Sequence, residues 1–334
     1  VLSGYHLCMS DLDNTDPSQP TVTLLLSGSA ALRSTEFAAA LRASLGAVAL
    51  DGVIPGLPVE DGDGGLACTV AWGDHKVRCI QVLAPAPGLD EMIQTSRIDK
   101  AQLRPLTAQA GHVLCYYCGT AAHPADRILA LFRLAAACRN LGVIGIIHTD
   151  AWQCIHADAL THFADPAHQA DLREALAHKV LCNLIPFHGD GGSWWTSKGN
   201  HVFGIPDLAL WDDGAIGSER AYAIHAALFA FLRGGAVMKP GETMEHEGLV
   251  LDIGPVTEHV DFLAGRGETL ALRPAGGGRP GSRRGLMILA GAAVFFGALV
   301  FYVPPYYTGM KITLGVLAGL AGVLALLAFI GRRR

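Results

Sequence analysis

Residues 285–303 and 312–330 contain no charged side chain. Built as helices rising about 1.5 Å per residue, each run reaches roughly 28 Å, close to the ~30 Å hydrocarbon core of a bilayer. A chain carrying two such runs has little freedom. They are expected to form a transmembrane helical hairpin, with whatever precedes them folding separately in water. Arg273, Arg279, Arg283 and Arg284 precede the first run, Arg332, Arg333 and Arg334 follow the second, and only Lys311 lies between. The excess of arginine outside the hairpin places both termini and the preceding domain in the cytoplasm, with the lipid bilayer as one partner. Tyr302, Tyr306 and Tyr307 suit the opposite interface.

The rest of the composition bounds what the preceding domain does. The 334 residues carry a net charge of -5, and basic residues are dense only beside the apolar runs, so no nucleic-acid partner is expected. Eight cysteines without regular spacing, in a chain this long, read as reduced thiols rather than a disulfide framework. Residues 1–20 lack the basic start and long apolar core of a secretory signal and read as a polar arm.

Apolar periodicity and turn residues then divide the chain. Strands are expected at 21–27, 66–72, 77–83 and 111–119, with a helix from Ser34 to Gly46 and a helical stretch over 90–110 interrupted at Pro105. A helix over 124–141 follows, opened by Pro124 at the position where its fixed φ suits a first turn. Beyond it, strands are expected at 143–147, 180–187, 202–203 and 249–253, and helices at 156–178 and 218–233. Each pass reads β-α-β-β-α-β. The fold expected is α+β, with two ferredoxin-like halves at about 21–120 and 142–255, joined by the 124–141 helix within a domain of 21–265. Residues 266–284, rich in Gly, Pro and Arg, read as a linker. They contain Gly276-x-Gly278-x-x-Gly281, but Pro280 sits inside that formal dinucleotide fingerprint and no strong strand leads into it.

Few residues stand out as chemistry. Asp11-Leu12-Asp13-Asn14-Thr15 matches the nucleophile motif of haloacid-dehalogenase-like phosphatases, yet Asp16-Pro17 follows at once as a polar turn. Cys115-Tyr116-Tyr117-Cys118 falls within an expected strand, which favours core cysteines over a redox pair. His148, Asp150, His188 and Asp190 lie just after expected strands and are the weak candidates for a metal; no metal or other cofactor is assigned. No GxSxG elbow, Walker loop or HExxH motif is present.

The least generic stretch is 189–208. Flexible glycines adjoin Trp194 and Trp195, and Lys198, His201 and Asp207 add charge and a titratable ring. Rigid aromatic area beside adjustable polar groups suits recognition, so these five residues form the candidate ligand-binding surface. The competing reading makes the tryptophans a closure of the core. Thr196, Gly199, Phe203, Gly204, Pro206, Asp207 and Leu208, followed after a helix by Gly241-Glu242-Thr243, resemble the bacterial family catalogued as domain of unknown function 4261. In that family's pattern an Asp stands where Glu242 is. The resemblance covers most of 20–255, implies a bacterial protein and brings no established activity; the hairpin looks like an addition to it, and the arginine asymmetry places that hairpin in the inner membrane. The functional expectation is therefore a membrane-anchored module that binds a ligand or a protein partner. The alternative is a metal-assisted hydrolase or phosphatase using the His and Asp residues of the loops, Asp11 and Asp13 included.

Overall fold

The computed structural model describes residues 19–51, 65–96, 98–173, 177–189 and 191–275. In chain order, β1 (Thr21–Leu26), α1 (Ser34–Leu45), β2 (Ala49–Asp51), β3 (Ala67–Trp72) and β4 (His75–Val82) come first. Then come α2 (Leu89–Gln94), α3 (Lys100–Thr107), β5 (Gly111–Tyr117), α4 (Pro124–Ala137), β6 (Val143–His148) and β7 (Gln153–His156). Three helices, α5 (Ala157–Ala164), α6 (Gln169–Arg173) and α7 (Ala177–Val180), lead into β8 (Asn183–Gly189), β9 (Gly192–Lys198) and β10 (Asp207–Asp212). The chain continues through α8 (Gly217–Arg233), β11 (Thr243–His246), β12 (Leu249–Pro255), α9 (Val260–Leu263) and β13 (Thr269–Pro274).

The strands make two sheets, and the fold is α+β. The first runs β2-β3-β4-β5-β1-β6-β7 and is antiparallel throughout. The second runs β11-β12-β13-β10-β9-β8, with β10 and β13 its one parallel pair. The run Thr-Val-Thr-Leu-Leu-Leu of β1 has no polar face to give to water, so it sits centrally. Val22, Leu24 and Leu26 pack with Phe37 and Leu41 of α1 and with the buried α4, while Leu25 meets Leu89 and Leu106 of α2 and α3 on the other face. In the second sheet Leu208, Leu210, Leu251 and Leu272 face Ile224 and Leu228 of α8. On its reverse, Trp194, Trp211 and Ala271 face Leu263 of α9.

This topology corrects the expected pair of ferredoxin-like halves. A division at α4 would leave β6 in the second half. Instead Gly142, at φ 89°, turns the chain back after α4, Ser27 N donates to Gly142 O at 2.9 Å, and β6 pairs with β1. Because Val143–His148 is apolar on both faces, it gains most by completing the buried middle of the first sheet. Three local expectations also change. Residues Asn200–Phe203 form a 3₁₀ turn rather than a strand, bounded by Gly199 at φ 96° and Gly204 at φ 72°, conformations that interrupt a strand. Thr269–Pro274, expected as linker, is β13, inserted between β10 and β12 with Leu270 and Leu272 buried. The helical stretch is two helices, α2 ending at Gln94 and α3 starting at Lys100, and Pro105 lies inside α3.

Among the described residues no helix is long and apolar enough to cross a membrane. The expected hairpin at 285–303 and 312–330, the linker from 276 onward and the arm at 1–18 lie outside the described residues.

Candidate functional site

Strand alternation separates the two tryptophans of the candidate surface. Trp194 is buried against Trp211, ring centroids 5.2 Å apart, with the Arg273 guanidinium 4.6 Å from its ring centre. Trp195 points to the other face, toward Tyr222 of α8, and its indole N–H donates to Asp212 Oδ2 at 3.5 Å. Asp212 in turn accepts from the backbone N–H groups of Gly214, Ile216 and Gly217 at the start of α8. The pair therefore fastens two layers to the sheet and offers no joint platform.

Lys198, His201 and Asp207 do come together, but inside the protein. Lys198 ends β9 and is fully buried. Its ammonium donates to the carbonyls of Phe262, Leu263 and Ala264 at 2.8, 2.9 and 2.7 Å, the acceptors that the last turn of α9 leaves without an intrahelical partner. The ring of Trp152 lies 4.4 Å from the same nitrogen. Burial pushes the ammonium down to about 8, with Asp207 acting the other way.

Beyond Gly199 the 3₁₀ turn delivers His201 between two carboxylates. Nε2 lies 3.4 Å from Asp150 Oδ1, and Nδ1 lies 3.8 Å from Asp207 Oδ2. Burial works against charge on this ring, but the two carboxylates outweigh it and hold the imidazolium up to about 9. Asp207 also accepts from Asn200 N at 3.0 Å through its other oxygen. A methyl group at Gly265 would run into Asp207 Oδ2, so a larger residue in the strap after α9 would displace that carboxylate.

Asp150 is the hub. It accepts from Thr21 N at 2.9 Å, from Arg266 at 2.9 Å and from His201. Burial pushes its carboxyl up, and the His201 contact, His148, Arg266 and the Thr21 N–H overcome that to hold it below the usual range. Since Thr21 and Asp150 belong to the first sheet's side and His201, Asp207 and Arg266 to the second's, the cluster ties the two sheets together. Neighbouring His148 is fully buried, sets its ring edge-on to Phe132 at 5.6 Å, and is pushed down to about 4, chiefly by burial.

The other metal candidates do not join it. His188 is exposed and bonds Ser193 Oγ at 2.8 Å, near the far end of β8 from Asn183. At about 3.3 Å per residue that is roughly 16 Å along the strand. Asp190, Asp11 and Asp13 lie outside the described residues. Among the described residues no three His, Cys, Asp or Glu side chains are placed to hold a metal. Cys115 is buried in β5 beside Cys79, Sγ to Sγ 3.9 Å, whereas Cys118 lies past the strand end and is exposed.

Chemically the cluster is turned inward, although His201 Nδ1 and Asp207 Oδ2, 3.8 Å apart, face each other without a hydrogen bond. The Lys198 nitrogen spends its three N–H groups on carbonyls, and a His201 ring held charged between carboxylates has no lone pair for a general base. Sequence reasoning found Lys198, His201, Asp207 and Asp150 but expected them at a surface or in loops. It missed Arg266, Trp152 and Thr21. Arg266 looked like one more linker arginine, and Trp152, at φ 50°, carries no local signal for that conformation.

The chain matches no protein-family model, no curated protein and no solved structure. The residues that carry the resemblance stated above have structural work here. Thr196 Oγ1 donates to Leu263 O, Gly199 supplies the positive φ, and Asp207 holds Asn200 N.

Proposed function

We propose that the protein is a membrane-anchored module on the cytoplasmic side whose work is to bind a protein partner. The tether is supported by the two uncharged runs and their arginine flanks. The observation that carries the binding role is a groove of about 460 Å³ between α8 and β11, where Leu228, Phe231, Val237, Met238, Met244 and Ile253 form the apolar part of the lining and Glu242, Thr243, Glu245 and His246 the polar part. Phe231 and Val237 are 54% and 71% exposed there. Large apolar side chains gathered at one open groove serve binding better than folding. The buried polar cluster, by contrast, spends its groups internally.

The test is a photo-cross-linking amino acid placed at position 231 of the full chain in its native membrane, with position 260 as control. Val260 is also exposed but lies away from the groove lining. The expected result is a discrete adduct from 231 and none from 260. Identical adduct patterns at both positions would remove the groove's claim. For the tether, a cysteine at position 308 should react with an impermeant label from the side opposite the termini. Reaction only from the side of the termini would mean that the two runs do not cross the bilayer as a hairpin.

A further inference from the structure

Resting on the partner-binding reading, we infer that β11 accepts the partner as an added β-strand. The partner's segment is extended and alternates large apolar residues with lysine or arginine. Among the described residues β11 pairs only with β12. Ile253 N donates to Glu242 O, so ladder alternation turns the N–H and C=O groups of Thr243 and Glu245 away from β12, toward the open side. Two of the other edges are finished differently. Cys154 N of β7 donates to Ser96 Oγ, Thr95 Oγ1 donates to Trp152 O just before that strand, and β8 carries Pro186.

The two faces beside this edge set the partner's chemistry. Met244 packs toward α8, on the side of the groove with Phe231 and Met238. Glu245 alternates with Met244 along β11, is exposed and borders the groove at its open edge, with Glu247 two residues on. A strand laid against β11 therefore presents every second side chain to the apolar groove and the ones between to glutamates. Charge complementarity selects a basic residue at those intervening positions. It also argues against a second copy of this chain, because β11 pairing with itself would bring the Glu245 carboxylates onto one face, like beside like. The chain's own arginine-rich residues 276–284 supply charge but no large apolar side chain.

The experiment uses the full chain in zwitterionic nanodiscs and a fluorescent peptide alternating lysine with valine and leucine, read by anisotropy. Binding on the order of micromolar is expected, with the glutamate-for-lysine peptide at least about tenfold weaker. Glu245→Pro removes an outward N–H that β12 does not use, so it should leave folding intact and weaken binding at least about tenfold. Glu245→Lys should reverse the preference between the two peptides. Wild-type affinity in Glu245→Pro, or no binding of either peptide, would overturn strand addition while leaving the adduct at position 231 to judge partner binding separately. Binding seen only after the chain is cut at Ala275 would give the edge to the chain's own arginine segment. Dimerisation abolished by Glu245→Pro would give it to a second copy. Either result overturns the inference.

Discussion

Lys198, Asp207 and Asp150 are almost wholly shut from water, whereas at the other side of the same sheet Phe231 and Val237 stand in it. A buried charge is tolerated only when paired, and here Asp150 and Lys198 are tied to backbone atoms from distant parts of the chain, while Asp207 holds the nearby Asn200 N. Those bonds leave few other ways for the two sheets to meet. The apolar groups beside β11 hold nothing comparable in place. The junction is thus built to be closed and specific, and the groove is built open. The two regions should respond to change in opposite ways.

The largest expected difference comes from where the chain is cut. A chain ended after Gly265, where composition suggests the domain stops, loses β13 and the strand it places between β10 and β12. It should show no cooperative urea transition. A chain ended after Ala275 should keep one, because only residues beyond the second sheet are removed. Equal cooperativity in both would mean that β13 contributes little.

Next is Asp150→Ala. It leaves His201 and Arg266 without their shared carboxylate and Thr21 N without an acceptor, at a cost of about 3–5 kcal/mol in equilibrium unfolding of the chain ended at Ala275. Lys198→Met should cost at least about 2 kcal/mol, because buried carbonyls of α9 lose their donor. A loss under about 0.5 kcal/mol for both would show that the junction is not closed as described.

The pH response sharpens the same point. His201 is held up to about 9 in the fold against 6.5 otherwise, so the stability it contributes is complete below 6.5 and is lost as pH rises through 9. From 6.5 to 8 that amounts to about 2 kcal/mol. Above 8 Lys198 acts in the opposite sense, since the folded chain releases that proton before the unfolded chain does. His148 and His225 are pushed down to about 4, chiefly by burial, so their contribution is present above 6.5 and is lost as pH falls toward 4. Stability should peak near pH 6.5, and His201→Gln should flatten the decline from 6.5 to 8 while the part of the acid side due to His225 persists. An unflattened decline would take the titration away from His201.

The α+β class and many of the elements were legible because they rest on local periodicity: the apolar stripe of α8, the two-faced apolar run of β6, Pro124 opening α4. Which sheet each strand joins was not legible. Nothing in Val143–His148 says that it pairs with β1, because that choice is made by partners far away in sequence. Lys198 shows the same limit at the level of one side chain. Its charge predicts exposure, and only the three carbonyls of α9, more than sixty residues on, make burial affordable. The groove went unnoticed because its residues come from α8, the turn after it and β11, none of them unusual alone.

The smallest expected effect is at the groove, and it is the sharpest test of the contrast. Phe231 is the largest apolar residue of the lining, and core truncations of phenylalanine cost about 3–5 kcal/mol. That figure applies to a ring enclosed by neighbours, and Phe231 is 54% exposed. Phe231→Ser gives up some burial of the ring's inner edge but removes apolar area from water, so unfolding free energy should change by no more than about 0.5 kcal/mol. Buried Leu228, three residues earlier on α8, supplies the comparison, since Leu228→Ala should cost about 2–5 kcal/mol. Both are read from urea transitions of the chain ended at Ala275. If Phe231→Ser costs as much as Leu228→Ala, the ring belongs to the core and the groove is a surface irregularity. A near-neutral Phe231→Ser beside a costly Leu228→Ala leaves that exposed ring with no work in the fold, which is what a surface kept for a partner requires.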